Sequence, residues 1–178
     1  RNFNDSLEYY LIKQRVRVHF SSNLRQSITY YKQAVRKSKS EREKVIYNYG
    51  LALALSRDGK NNEALEMIRL SLNLKPKNLI LQSSLLEIHF NAGHLLEAKA
   101  LGKELLATNT DNYPLSMLYA RILMDSQDYE EAEGVLKNLL TKRSTDLHVW
   151  YWLAEIQGLS RNTINLHRSR AEYFSLRG

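Results

Sequence analysis

The sequence predicts an all-α protein, a right-handed α-solenoid of about ten helices in five antiparallel pairs. Three observations predict it. First, punctuation recurs at one interval. Gly59 returns 34 residues later as Gly93, Ala64 returns as Ala98 and Ala132, and Ala52, Leu86, Ala120 and Ala154 keep the same register. Periods of this length mark stacked helix–turn–helix units, none of which can bury its apolar face alone. Second, breakers are scarce, with 7 Gly and 2 Pro in 178 residues, which favours helices joined by short turns over an all-β fold. Third, the apolar residues, 43% of the chain, recur at helical rather than alternating spacing. The period divides the chain into a single array: an atypical leading helix pair at 1–44, repeats at 45–78, 79–112 and 113–146, and a last repeat with a closing helix at 147–178.

The leading pair is read as helices at about 5–20 and 24–38, joined by Ser21-Ser22-Asn23. Leu7, Tyr10, Leu11 and Val18 share one face of the first, and Ile28, Tyr31, Ala34 and Val35 one face of the second. Ser40 and Glu43 form a capping box that opens the next helix, to about residue 56. Gly59 suits the left-handed position that ends it, and Asn61 or Asn62 can cap the helix that runs to Leu74, before Pro76. The second repeat covers about 79–91 and 95–108. The third opens at Tyr113-Pro114, turns at Gln127-Asp128, where Asp128 and Glu131 read as another capping box, and ends near 141. The last opens at Asp146, runs to about 159, turns at Ser160-Arg161-Asn162 and closes with a helix at 164–176. There the small residue, Ala171, falls five residues later than the period demands.

Leu51, Ala52, Gly59, Ala64 and Pro76, then Leu85, Gly93 and Ala98, then Ala120, Tyr129 and Ala132, then Trp150, Leu153 and Ala154 resemble the tetratricopeptide repeat family. The chain departs from the family at its early aromatic, which is Asn48, Gln82 and Ser116 here, and at the turn glycine replaced by Gln127. The resemblance implies that the first helix of each pair lines an inner groove that holds a protein or peptide. Carried over residue by residue, the groove positions are Arg15 and His19; Tyr49, Leu53 and Arg57; Glu87, Phe90 and Asn91; Met117, Arg121 and Asp125; and Tyr151 and Glu155. Leu53 and Phe90 are expected to pack between units instead. The family's carboxylate-clamping positions carry Tyr49 and Leu53, so tail-clamping chaperone activity is not implied.

Charge and chemistry narrow the function. Residues 1–44 hold 11 Lys/Arg against 4 Asp/Glu, and the rest of the chain is balanced, so the net charge of +7 sits on the leading pair. A basic end can mean nucleic acid, acidic lipid or an acidic protein, or only a solvated helix face. There is no Cys, which excludes disulfides, thiolate nucleophiles and thiolate zinc sites. No apolar run is long enough to cross a membrane, and no signal peptide is visible. The chain opens on Arg1 rather than Met, which suggests a piece of something longer. His89 and His94 are five apart across a turn, so they cannot aim two rings at one ion as a zinc protease helix does. No phosphate loop or nucleophile elbow is present, so the chain is expected to be no enzyme by itself and to hold no cofactor or metal.

A narrower resemblance lies in Tyr9 to Arg17, Tyr49 to Leu55 and His167 to Gly178. Together they look like the C-terminal repeat region of the beta-barrel assembly-enhancing proteases, periplasmic zinc metallopeptidases of Gram-negative bacteria. That resemblance implies a non-catalytic region that docks on the zinc-holding protease domain and contacts the outer-membrane barrel assembly machinery or its substrates in quality control. Arg168, Arg170 and Glu172 then either form a buried ion network tying the last two helices or contact the protease domain. The alternative is a stand-alone repeat scaffold, associated with nucleic acid through its basic leading pair.

Overall fold

The computed structural model describes residues 6–178, and among them there are ten helices and no strand. They are α1 Leu7–His19, α2 Leu24–Lys37, α3 Glu41–Arg57, α4 Asn61–Leu74, α5 Leu79–Asn91, α6 Leu95–Thr108, α7 Tyr113–Asp125, α8 Tyr129–Lys142, α9 Leu147–Leu159 and α10 Thr163–Arg177. The expected start of the first helix at Asp5 lies outside the described residues. The chain forms two compact units, one up to His94 and one from Leu95 to Gly178, so the second expected repeat is divided between its two helices.

Each first helix opens on a side-chain cap. Ser6, Ser40, Asn78 and Asn112 each accept the amide three residues on, at 3.1 to 3.2 Å, and Asp146 accepts those of His148 and Val149. Such caps satisfy amides that a helix start leaves without a partner. Ser6 and Ser40 stand 34 apart, as do Asn78, Asn112 and Asp146, but Ser40 to Asn78 is 38. The extra four residues make α3 one turn longer than its counterparts, at 17 residues against 13 for α5, α7 and α9, which leaves the helical phase nearly unchanged. At Ser40 the Glu43 carboxylate reaches back one residue beyond the N-cap and accepts the Lys39 amide at 2.7 Å.

The turns keep strict register. Gly59, Gly93, Gln127 and Arg161 all lie in the left-handed region, at φ of 78°, 75°, 62° and 58°. The next amide in each case reaches back five residues, Lys60 to Leu55, His94 to His89, Asp128 to Leu123 and Asn162 to Gln157, at 2.8 to 3.0 Å. That bond closes a Schellman turn and occupies the orphan carbonyls of the ending helix. Two expected caps fail at this point. Neither Asn61 nor Asn62 caps α4, whose N-cap is Lys60, and Asp128 makes no cap bond on α8. The Schellman turn brings the chain into the next helix directly, which frees the Asp128 carboxylate to pair with Lys99 and the Glu131 carboxylate to accept the Tyr119 hydroxyl at 3.0 Å.

Packing follows the period. Ala64, Ala98 and Ala132 are fully buried, as expected of the small residue that lets two helices approach. Val18, Ala52, Leu86, Ala120 and Ala154, one register position, are all at most 6% exposed. In the first unit the core joins Leu11, Val18, Tyr31, Val45, Ile68 and Leu81; in the second it joins Tyr119, Leu123, Leu136, Val149, Leu153 and Ile156. Each unit has one glycine under a tyrosine ring. A Cβ on Gly50 would meet Tyr31 at 2.3 Å, and one on Gly102 would meet Tyr119 at 2.4 Å. On α10, Ala171, which falls out of register, is exposed, and Ser169, at 2% exposure, is the small residue turned inward.

Candidate functional site

The first helices of the first unit carry a linked set of side chains on one face. Arg15 leaves α1 and crosses both α3 and α5. Its Nε donates to the Tyr49 hydroxyl at 3.1 Å, and its Nη2 donates to Ser84 Oγ at 2.8 Å and pairs with Glu87 Oε2 at 2.9 Å. Ser84 Oγ in turn donates to the Ile80 carbonyl at 2.7 Å and lies 3.3 Å from the Tyr49 hydroxyl. Burial works against the Arg15 charge, but Tyr49 and Glu87 beside it outweigh that and hold its pKa above the ordinary guanidinium value. The Arg15 and Glu87 side chains remain 41% and 38% exposed, so the top of this cluster faces solvent.

Arg15, Tyr49 and Glu87 are therefore brought together, but not as an open wall of independent contacts. Tyr49 has no exposed surface, which corrects the expectation that its ring is available to a guest. The neighbours of α3 on both sides cover it, and only its hydroxyl takes part. Leu53 is buried at 8% and Phe90 half-buried, the packing role expected of both. Arg57 donates from Nη1 to the carbonyls of Val18 and His19, the latter at 2.9 Å. A cation there satisfies the last carbonyls of α1 and suits the negative end of its dipole. The His19 ring is exposed and stands edge-on to Phe20. Asn91 is also tied down, donating to Ser56 Oγ at 3.2 Å while its carbonyl accepts Asn61 Nδ2 at 2.9 Å.

In the second unit the corresponding positions are more open. Arg121, Asp125, Tyr151 and Glu155 are exposed and Met117 is half-buried. Tyr151, 44% exposed, lies 5.6 Å from the Trp152 ring and 6.1 Å from the Tyr173 ring. Trp152 is half-buried and its Nε1 donates to His148 Nε2 at 2.9 Å, while Trp150 Nε1 donates to the Ser144 carbonyl at 2.7 Å. Sequence reasoning missed Ser84, His148 and Tyr173. Ser84 could have been found from its spacing of 35 to Tyr49, one period and one residue.

On α10, Arg168, Arg170 and Glu172 are all exposed, which overturns a buried ion network among them. The network tying the last pair is built from other residues. Ser169 Oγ donates to Gln157 Oε1 at 2.7 Å, Gln157 Nε2 donates to Glu133 Oε1 at 3.0 Å, and Lys137 pairs with Glu133 at 2.8 Å. Burial pushes the Glu133 carboxyl up, but hydrogen bonds from Lys137 and Gln157 and the Lys137 charge prevail and leave its pKa below the usual value. Among the described residues no group of three or more His, Asp or Glu could hold a metal ion, and no helix is long and apolar enough to cross a membrane.

Comparison with known proteins agrees with this geometry. The tetratricopeptide repeat family model matches residues 89–156. No curated protein sequence matches the chain. Among solved structures, MamA (residues 41 to the end) from Desulfovibrio magneticus RS-1 superposes with a TM-score of 0.75 at 11% identity, covering 97% of this chain and 96% of that one. MamA from strain AMB-1 gives 0.66 at 17% identity, covering 96% and 98%. YrrB, described as a tetratricopeptide repeat protein with an unusual peptide-binding site, gives 0.68 at 12% identity, covering 98% and 88%. The chain thus has the fold of tetratricopeptide repeat proteins, and the repeat's family model matches it over residues 89–156.

Proposed function

We propose that this chain is a protein- or peptide-binding module whose contacts are made by the first helices of its repeats. The observation that carries the reading is the Arg15–Tyr49–Ser84–Glu87 cluster, in which three successive first helices fix a half-exposed ion pair on one face. A preorganised polar surface of this kind loses little side-chain freedom when a partner binds. In the second unit, Arg121, Asp125, Tyr151 and Glu155 present exposed aromatic and charged groups of the kind that serve as anchors in protein interfaces. YrrB, of the same fold, is a peptide binder by its description.

The narrower part of the reading is a non-catalytic region of a periplasmic zinc metalloprotease acting in outer-membrane protein assembly and quality control. The resemblance at Tyr9 to Arg17, Tyr49 to Leu55 and His167 to Gly178 supports it. In that setting Arg168, Arg170 and Glu172, exposed on α10, make contact with the protease domain. Zinc belongs to that domain and not to this chain.

Two measurements test these parts separately. A photocrosslinking residue at position 121, 125, 151 or 155 is expected to capture a protein partner in cells. The same residue at exposed Glu66 or Lys103, on second helices, is expected to capture none; equal capture from both sets overturns the binding surface. The coding sequence ahead of Arg1 is expected to encode a His-Glu-x-x-His helix. Its absence overturns the protease setting and leaves the binding surface standing.

A further inference from the structure

In the second unit a chain of three hydrogen bonds joins α7 to α9, and every proton in it can be assigned. Trp152 Nε1 donates to His148 Nε2 at 2.9 Å. An indole N–H only donates, so this ring nitrogen is bare, and a neutral imidazole then carries its proton on Nδ1. Nδ1 lies 3.3 Å from the Tyr113 hydroxyl and donates to it. The hydroxyl in turn donates to Asp146 Oδ1 at 3.4 Å, the oxygen that caps α9 by accepting the His148 and Val149 amides. Burial, with Asp146 beside it, pushes the Tyr113 phenol up, so it keeps the proton it donates.

This arrangement admits only a neutral His148. An imidazolium carries N–H on both nitrogens. Its Nδ1–H would still donate to Tyr113, but its Nε2–H would meet the Trp152 N–H, donor against donor. Protonation therefore breaks one bond of the chain and leaves the other two. The titratable and charged groups around the ring are Tyr113 of α7, Asp146 at the α9 cap, and Arg143, whose guanidinium lies 4.8 Å from the centre of the Tyr113 ring. Among the described residues none of these bonds Nε2, where proton and indole compete. Trp152 also lines a small cavity with Met117, Arg121 and Met124 of α7 and Leu136 of α8.

We propose that His148 is a proton-operated latch on Trp152, closed when the imidazole is neutral and open when it is charged, and that it regulates the first-helix surface of the second unit through Tyr151. Histidine changes charge between pH 5 and 8, so the latch is closed at the alkaline end of that window and opens as pH falls through it. The Trp152 and Tyr151 rings stand edge to face, 5.6 Å apart at 81°. A held indole gives the exposed Tyr151 ring a fixed neighbour, and a released one does not. Ordered side chains lose less freedom on binding, so a partner seated on Tyr151 is held less tightly in acid. That consequence rests on the binding-surface reading; the latch itself does not.

The test is proton–nitrogen correlation NMR on the intact, isotope-labelled chain, following both indole N–H signals from pH 8 to pH 5, with Trp150→Phe to assign them. Trp150 is the internal reference, because its Nε1 donates at 2.7 Å to the Ser144 carbonyl, an acceptor that takes no proton in that range. The solvent-exchange rate of the Trp152 N–H relative to that of Trp150 is expected to rise about three- to tenfold on acidification, the size that one lost hydrogen bond carries. Its midpoint is expected to coincide with that of the His148 ring protons. His148→Gln offers an acceptor oxygen that does not titrate, so there the ratio is expected to stay constant. His167→Gln, at an exposed histidine of α10, is expected to leave the response unchanged. A constant ratio in the natural chain, a midpoint away from that of His148, or a response that survives His148→Gln overturns the latch. Photocrosslinking yield from position 155 in lysate is expected to fall between the two ends of the same pH range, and not to fall with His148→Gln. An equal fall in both overturns the regulation. No capture at either pH overturns the binding surface and leaves the latch, which the NMR reads without a partner.

Discussion

Gln127 and Arg161 occupy turn positions where the period elsewhere places Gly59 and Gly93, and all four share a positive φ. A side chain in that conformation crowds its Cβ against the following carbonyl, at about 1–2 kcal/mol. Glycine avoids that cost but loses more freedom on folding, by about 0.5–1 kcal/mol. Gln127→Gly and Arg161→Gly are therefore each expected to stabilise the chain by about 0.5–1 kcal/mol, read from urea midpoints at constant slope. A loss of stability would show that the Gln127 or Arg161 side chain does more than occupy the turn. Tyr31 gives a second case. Burial pushes its hydroxyl up to about 12 from 10. The folded state thus favours the neutral phenol, so its stabilisation is complete below pH 10 and disappears as pH rises towards 12. A rise of that size corresponds to about 2–3 kcal/mol. Tyr31→Phe is expected to flatten that alkaline loss. At neutral pH it costs about 1–2 kcal/mol, because buried Gln14 Oε1 loses its 3.0 Å donor. An unchanged slope of stability between pH 10 and 12 would show that Tyr31 does not titrate with unfolding.

Among the helices, α1 differs from its counterparts by what covers it. Ile12, Val16 and Phe20 are 47%, 50% and 78% exposed, whereas the residues 34 on, Ile46, Gly50 and Ala54, are buried. The second helix of the preceding pair explains the difference: Tyr31 of α2 lies on Gly50, and no described helix occupies that place over α1. Ile88, in the register of Phe20, is 1% exposed. Ile88→Ala is expected to cost about 2–4 kcal/mol, and Phe20→Ser less than about 0.5 kcal/mol. Comparable losses from the two, measured by urea unfolding, would mean that α1 is covered after all. This contrast also shows what the sequence could carry. Local chemistry at a fixed spacing was legible: ten helices, their turns, and the buried alanines at 64, 98 and 132 all follow from period and cap preference. Long-range reach was not. Nothing local says that Arg15 extends to Ser84 and Glu87, 69 and 72 residues on, since that depends on which way a long side chain lies across two neighbouring helices. Tyr49 was misplaced for a related reason. A 34-residue template assigns one face to each first helix, but α3 has helices on all sides and leaves only Tyr47 half-exposed between Val45 and Leu55. In α10 the template points to position 166, where the half-buried Leu166 stands in place of a small residue, and Ser169, bonded to Gln157, is the small residue turned inward.

At the scale of the molecule, the described chain has two cores rather than one continuous list of buried residues. The first gathers residues from Leu11 to Ile88 and the second residues from Tyr119 to Ile156. Repeat proteins hold together through contacts between adjacent helices, so a set of neighbours that closes its own core can be stable without the remainder. From Leu95 onward the second unit has those contacts: α6 packs on α7, α7 on α8, α8 on α9 and α9 on α10. Gly102 sits under the Tyr119 ring, Lys99 pairs with Asp128, and Lys142 pairs with Asp111, all inside the unit. The fragment Leu95–Gly178 is therefore expected to fold alone, with a helical circular-dichroism spectrum and one cooperative urea transition. Chains of that size bury only about 60–70% of the surface they expose when unfolded, so the margin is small and core substitutions act strongly. Leu136, fully buried at the centre of this core, tests the point: Leu136→Ala, at a cost of about 2–5 kcal/mol, is expected to abolish the transition in the fragment. The acidic network adds a pH signature. The lowered Glu133 carboxyl stabilises the fold fully above its ordinary value of 4.5, and that contribution is lost as pH falls through the lower folded value. The fragment is expected to lose stability on acidification below that point, and Glu133→Gln to lose less. A fragment that is unfolded at neutral pH, or that melts without cooperativity, would show that the second core depends on residues before Leu95.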